Sequence, residues 1–260
     1  MKRALTWILA LAALAVTAAQ AQTPLKILRL EPNGPSGEGL KGYGHGTSKI
    51  YVYYGDVKGM SAGVWSSEDF SGKMHRVNNS EFIKILEGEV TFQAKDGSET
   101  SFKAGDCVLI PRGTEFAWKR TVNEKEYYVV FDRAAPDAPA AMENPMYVRF
   151  EPNGPAGKEL HVHGKTKAYL YYKSPDGSSA GVWETQPDTT PGFEKTKYAE
   201  LMVFLKGNVT LSTPDGQVEH FKAGDVALVP RGISYKWSSD TTRKFWVIFD
   251  KANDNETASR

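Results

Sequence analysis

Glu81 and Glu200 are the carboxylates of this chain best placed to act chemically, because each opens a stretch that the sequence writes twice and each keeps aromatic company. Trp65, Phe116 and Trp118 accompany Glu81; Trp183, Tyr235 and Trp237 accompany Glu200. Ring faces with a few polar groups are the usual make-up of a small-ligand site. A glutamate buried among rings has its charged form penalised, and a carboxyl that holds its proton near neutrality suits acid–base work. The structural alternative is as concrete: the tryptophans as core, and each glutamate satisfied by a neighbouring lysine or tyrosine. His161 and His163 form His-x-His, which on a strand places both rings on one face. Only His163 has a counterpart in the other copy, His45, so a structural role or an exposed pair is expected. His220 answers to Ser101 and reads as a surface residue. No glycine-rich phosphate loop, Gly-x-Ser-x-Gly elbow or zinc-protease helix is present.

The duplication sets the architecture. Glu81–Trp118 and Glu200–Trp237 align without a gap, with 17 of 38 positions identical, including Phe102 to Asp106 against Phe221 to Asp225 and Pro111-Arg112-Gly113 against Pro230-Arg231-Gly232. Upstream, Glu31 to Pro35 returns as Glu151 to Pro155 and Ala62 to Trp65 as Ala180 to Trp183; each copy closes on Phe131-Asp132 or Phe249-Asp250. A period near 119 residues is too long for a solenoid and fits a duplicated domain. Within each copy, short β-branched and aromatic runs such as Ile50–Tyr54 and Tyr127–Phe131 alternate with turn residues. Asp96-Gly97 and Asp215-Gly216 signal hairpins. Gly105-Asp106 and Pro111 to Gly113 bracket a fully apolar strand, Cys107 to Ile110, and Gly88 and Gly207 read as strand ends. Short strands with regular turns predict an all-β fold, and the edge problem favours closed barrels.

Lys2 and Arg3, the apolar run Ala4 to Val16 and Ala19-Gln20-Ala21 read as a signal peptide over residues 1–21. The expected organisation is then a first domain at 22–133, an Ala/Pro-rich linker at 134–145, a second domain at 146–252 and a polar tail at 253–260. Export to the periplasm or beyond follows, with no membrane anchor after cleavage. The 32 basic and 31 acidic residues leave no patch of the kind nucleic acid requires. Cys107 is the single cysteine, which excludes an intrachain disulfide; its counterpart Val226 marks a small buried apolar position.

At Glu81 through Gly88 and Gly105 through Pro111-Arg112-Gly113, spacings repeated at Glu200/Gly207 and Gly224/Pro230/Gly232, the chain resembles the cupins, β-barrel proteins of jelly-roll type. Gly-Val-Trp upstream, followed by Gly72 or Gly192, is similar to the subgroup related to ureidoglycine aminohydrolase. The resemblance implies a bicupin: two tandem jelly-roll domains, as a monomer with pseudo-twofold symmetry or as a homodimer. Metal-binding cupins use two histidines and a glutamate on one strand and a third histidine after the Pro-x-Gly turn. Those positions hold His75, Val77, Glu81 and Phe116 in the first copy, and Glu194, Thr196, Glu200 and Tyr235 in the second. His75 and Glu81 are the remaining candidate metal ligands, short of the three or four that a stable site draws. The resemblance therefore implies no resident cofactor, a divalent metal being the one it leaves open. A small polar or sugar-like ligand is expected, bound by Trp65, His75, Phe116, Trp183, Glu194 and Tyr235. If the chain is an enzyme, an aminohydrolase, isomerase or lyase of a small organic acid, then Glu81, Glu200 and Tyr235 are its candidate catalytic groups. A purely structural module that binds another protein is the third reading.

Overall fold

The computed structural model describes residues 25–251 except 37, 45, 56–58, 136–137 and 144. The expected signal peptide, the polar tail and His45 lie outside the described residues. Every regular element among the described residues is a strand, and they form three sheets.

The first copy builds one nine-stranded sheet. Its path runs Val148–Arg149, Cys107–Ile110, Ser80–Ala94, Glu115–Phe131, Ser61–Ser67, Lys49–Gly55 and Lys41–Gly42, with His75–Arg76 paired to Glu115–Phe131 and Glu99–Lys103 to Ser80–Ala94. The second copy builds its strands into two sheets. A seven-stranded sheet holds Leu28–Arg29, Val226–Val229, Ala199–Lys206, Thr242–Phe249, Ser179–Thr185, Thr166–Lys173 and His161–His163. A five-stranded sheet holds Asp188–Thr189, Ser234–Ser239, Asn208–Ser212 and Val218–Lys222, with Glu194–Lys195 beside Ser234–Ser239.

This difference corrects one sequence expectation. Gly207 does separate two strands, but Gly88 lies inside the continuous strand Ser80–Ala94, at a shift of register against Glu115–Phe131. Its φ is +74°, and a Cβ placed there would sit 2.2 Å from the Val122 carbonyl oxygen. The extra residue bends the strand without ending it, as a bulge does.

Strand alternation gives the central sheets two different faces. Phe82, Leu109, Tyr127 and Val129 from the first copy meet Leu201, Val203, Leu228, Phe245 and Val247 from the second in one shared apolar core. The opposite faces line each copy's own interior, with Ile83, Ile85, Phe92 and Phe116 in the first and Met202, Phe204, Leu211 and Trp237 in the second. Cys107–Ile110 is buried throughout, and the Cys107 thiol is pushed up to about 12 by that burial.

The copies also trade edges. Leu28–Arg29 pairs with Val226–Val229, while Val148–Arg149 pairs with Cys107–Ile110, so the opening strand of each copy completes the sheet of the other. Across the same boundary Tyr172 donates to Asp132 at 2.7 Å, and Arg112 pairs with that carboxylate at 3.2 Å. The second copy repeats the arrangement with Tyr54, Asp250 and Arg231. The repeated Pro-Arg-Gly and Phe-Asp motifs therefore fasten the two copies together. The Ala/Pro-rich connection is held as well: Arg76 donates to the Ala138 carbonyl and Arg112 to that of Pro139.

Candidate functional site

Glu81 projects from Ser80–Ala94 onto the face that looks into the first copy, and is buried there. The neighbouring strand Glu115–Phe131 presents Glu124, Glu126 and Tyr128 from the same side. Register places Glu126 opposite both Ile85 and Trp65. All three glutamates are buried. Neither oxygen of Glu124, nor Oε2 of Glu126, nor the Trp118 indole N–H makes a hydrogen bond of full geometry among the described residues, although Glu126 and the Trp118 N–H lie close enough to Glu124 to act on it.

Burial dominates the acidity of these groups. Glu81 is raised to about 8, with the Glu124 charge adding to the effect. Glu124 is raised to about 7, the rise tempered by Glu126 and by the nearby Trp118 N–H. Glu126 is pushed well above the carboxylate range by burial and then by both other carboxylates. Tyr128 moves upward too, by burial and by Glu81. Three like charges in a dry interior cannot coexist, so protons or a bound cation must offset them.

Rings close around the carboxylates. Trp65 lies edge-on to Phe70 at 5.8 Å and to Trp118 at 6.3 Å, and Phe70 meets Trp118 at 6.2 Å. Phe116 is buried between His75 at 5.5 Å and Phe92 at 5.0 Å. The His75 ring faces the Lys73 carbonyl through Nδ1 at 2.9 Å.

The second copy solves the same problem from within. Glu200 occupies the place of Glu81, paired with Val229 and Ile248 as Glu81 is with Ile110 and Val130. Lys244 occupies the place of Glu126, opposite Phe204 and Trp183. Its ammonium pairs with Glu200 Oε1 at 2.7 Å and lies 5.2 and 5.0 Å from the ring centres of Trp183 and Trp237. Thr242 replaces Glu124. One copy thus carries a carboxylate with its own cation, and the other carries three carboxylates.

The sequence-predicted residues distribute unevenly. Trp65, Glu81 and Phe116 share the interior of the first copy with Trp118, and His75 stands beside Phe116. In the second, Glu200, Trp183 and Tyr235 gather at the Lys244 site, and the Tyr235 hydroxyl is driven upward by burial and by Glu200. Glu194 is exposed, opposite Tyr235 in register. His161 and His163 are exposed, and His220 shares a hydrogen bond with Thr210 at 2.9 Å. Sequence reasoning missed Glu124, Glu126 and Lys244.

A transition-metal ion does not fit the positions that the resemblance assigns to it. Val77 and Phe116 stand where two imidazoles are needed, and both belong to the apolar cluster of the first copy. Among the described residues no three His, Cys, Asp or Glu side chains converge to hold a metal.

Comparison with known proteins places these features in context. The family model described as EutQ-like cupin domain matches residues 55–127 and 173–246, one match per copy. No curated protein matches the chain. Among solved structures, a protein of unknown function of the DUF861 family from Pseudomonas syringae pv. tomato is similar at 19% identity and a TM-score of 0.66, over 86% of this chain and 99% of that one. A cupin 2 conserved barrel domain protein from Leptotrichia buccalis gives 12% and 0.55, over 81% of this chain and 92% of that one. A putative glyoxylate-induced protein from Pseudomonas aeruginosa gives 12% and 0.52, over 80% and 83%. At these identities the likeness concerns the fold.

Proposed function

This chain belongs to the cupin family, with one EutQ-like cupin domain in each half, and we propose that it is an exported small-molecule binding protein whose working site is the interior of the first copy. One observation carries the reading. Among the described residues the first copy keeps buried polar atoms of Glu124, Glu126 and Trp118 without a hydrogen bond of full geometry, whereas Glu200 in the second copy is already paired with Lys244. Unpaired buried polar groups cost free energy that a bound ligand recovers. Aromatic walls around a few polar atoms are the usual composition of such sites. The ligand is small and polar, and the second copy serves as scaffold. Kinship with the ureidoglycine aminohydrolase subgroup is part of the proposal; it rests on the Gly-Val-Trp and glycine spacing. Export rests on the N-terminal composition.

A ligand that binds only the native state raises its melting temperature by mass action. A metabolite panel screened by thermal shift should therefore yield at least one stabilising compound. That stabilisation should vanish in Glu81→Gln and persist in Glu200→Gln. Retention in the first variant and loss in the second would move the site to the other copy, and silence across the panel would leave the structural-module reading standing.

One observation favours a second reading. Glu81 is held near neutrality, the range in which a carboxyl both donates and accepts a proton at working pH. Turnover of the stabilising compound, lost in Glu81→Gln with binding preserved, would make this an enzyme with Glu81 as its acid–base group.

A further inference from the structure

We infer that the first copy binds an organic ammonium group, seated on Glu81 between Trp65 and Trp118, where the second copy seats the side-chain ammonium of Lys244. The inference rests on the reading of that interior as a binding site and names the chemistry of its ligand.

The second copy supplies the precedent within the same molecule. There a primary ammonium on an alkyl stem makes a 2.7 Å ion pair with Glu200, and two tryptophan faces lie near 5 Å from its nitrogen. Charge pairing and the negative faces of aromatic rings both favour a cation at that point. The first copy retains each wall of the seat. Glu81 stands for Glu200, Trp65 for Trp183 and Trp118 for Trp237. The tryptophan pairs match in separation, 6.3 Å against 5.8 Å, and both meet edge to face. The lysine is gone, and in its register position stands Glu126; Glu124 stands for Thr242 and Phe116 for Tyr235. Phe70 adds a third ring, in contact with both tryptophans.

The unpartnered atoms point to the same ligand class. Both oxygens of Glu124 and Oε2 of Glu126 are acceptors without a hydrogen bond of full geometry among the described residues, with the Trp118 N–H and the Glu126 carboxyl as the groups near Glu124. An anionic ligand would place its charge beside three carboxyls that burial already holds back from ionising. A bare metal ion requires oxygens gathered at about 2.0–2.6 Å around one point, and these side chains do not converge that way. An ammonium reaches its acceptors through N–H bonds of about 2.8 Å, spread over three directions, and carries an alkyl stem for the rings.

Proton balance follows from the neighbours. The groups facing Glu81 are Glu124, Glu126 and Tyr128 from Glu115–Phe131, with Tyr43 near Tyr128; His75 borders the site at Phe116. Without a cation, burial holds Glu81 and Glu126 protonated at neutrality, while Glu124, raised to about 7, is about half ionised there. A bound ammonium requires one of them to be ionised, so binding releases close to one proton at pH 6 and less toward pH 8, and tightens over that range.

The test uses the full mature chain and n-butylammonium chloride, whose cation copies the lysine side chain from Cβ outward. n-Butanol, sodium butyrate and sodium chloride serve as controls in thermal shift and in calorimetry with two buffers of different ionisation enthalpy. Expected are stabilisation by n-butylammonium alone, proton release near one at pH 6 that falls toward pH 8, tighter binding at pH 8 than at pH 6, and affinity lowered tenfold or more in Glu81→Gln. Glu126→Lys should fold, gain stability and bind no amine, because it installs the second copy's internal cation; Glu126→Gln should weaken amine binding should the lysine variant not fold. Equal stabilisation by butanol or butyrate would overturn the ammonium assignment while leaving a binding site in place. No response to butylammonium, beside a metabolite hit lost in Glu81→Gln, would do the same. No response to any compound would overturn both readings.

Discussion

At the residue scale, the two interiors differ by two exchanges that alter charge, Glu126 for Lys244 and Glu124 for Thr242, and two predictions follow from them. Removing one partner of a buried ion pair leaves the other charge stranded, which costs about 3–5 kcal/mol, whereas removing both costs far less. Lys244→Met should therefore destabilise strongly, and adding Glu200→Gln should restore most of the loss; urea denaturation of the single and double variants measures this. Two single-variant costs that simply add would show that the pair is not coupled. In the first copy the sign reverses. Glu81 and Glu124 have folded-state values raised to about 8 and about 7, above those of an unfolded glutamate, so the native state binds more protons between about pH 4.5 and 8. Stability contributed by the protonated forms is present at pH 5 and lost as pH rises through the folded values, with a slope of up to about 1.4 kcal/mol per pH unit for each group. Ligand-free protein should unfold at lower urea at pH 8 than at pH 5, and Glu126→Gln should flatten the curve. A flat wild-type profile would mean that these carboxyls are solvated or paired.

At the element scale, Gly88 shows why one glycine of the repeat cannot be replaced while another tolerates change. Its positive φ alone costs a side chain about 1–2 kcal/mol, and the Val122 carbonyl would lie 2.2 Å from the new Cβ. Gly97 has a similar φ in the hairpin turn but open space around it. Gly88→Ala should thus destabilise by more than about 2 kcal/mol and Gly97→Ala by about 1 kcal/mol, read from denaturation midpoints. Equal losses would remove the role given to the bulge. The same strand shows what was legible in the sequence. Repetition exposed the glycines, the buried Cys107 to Ile110 run and the hairpins, because turn chemistry and burial leave local signatures. Whether Gly88 ends or bends its strand was hidden, since both states use the same positive φ. Glu124 and Glu126 were hidden for another reason. Asn123 to Glu126 reads as a polar turn, because charged residues are seldom buried, and only the cross-strand register turns Glu126 toward Trp65. A signal existed: at an offset of 118 Glu126 falls on Lys244, just as Trp65 falls on Trp183. Reading it needed the knowledge that both positions face inward, which tertiary pairing alone supplies.

At the scale of the whole molecule, the duplication is a folding arrangement as much as a repetition. Each copy donates its opening strand to the other, shares one apolar core with it and ties it through a Tyr–Asp–Arg cluster. An isolated copy would expose Phe82 and Val129, or Leu201 and Val247, and would leave the edge of Cys107–Ile110 or Val226–Val229 unpaired, a template for aggregation. The chain passes between the copies at 134–145, beyond the last long strand of the first and before the opening strand of the second. The exchanged strands and shared core lie outside that connection, so cutting it should leave the strands in place. Fragments 22–137 and 138–252 should each fail to show a cooperative, monomeric unfolding transition alone. Coexpressed, they should assemble one to one and recover the near-ultraviolet circular dichroism of the intact chain. The complex should also recover any ligand response, because Glu81, Glu124, Glu126, Trp65 and Trp118 all reside on the first fragment while the sheet beneath them is completed by Val148–Arg149 of the second. A first fragment that folds and binds alone would show that the second copy is dispensable to the site. A pair that assembles without binding would show that the connection, through the hold of Arg76 and Arg112 on Ala138 and Pro139, shapes the first copy from outside.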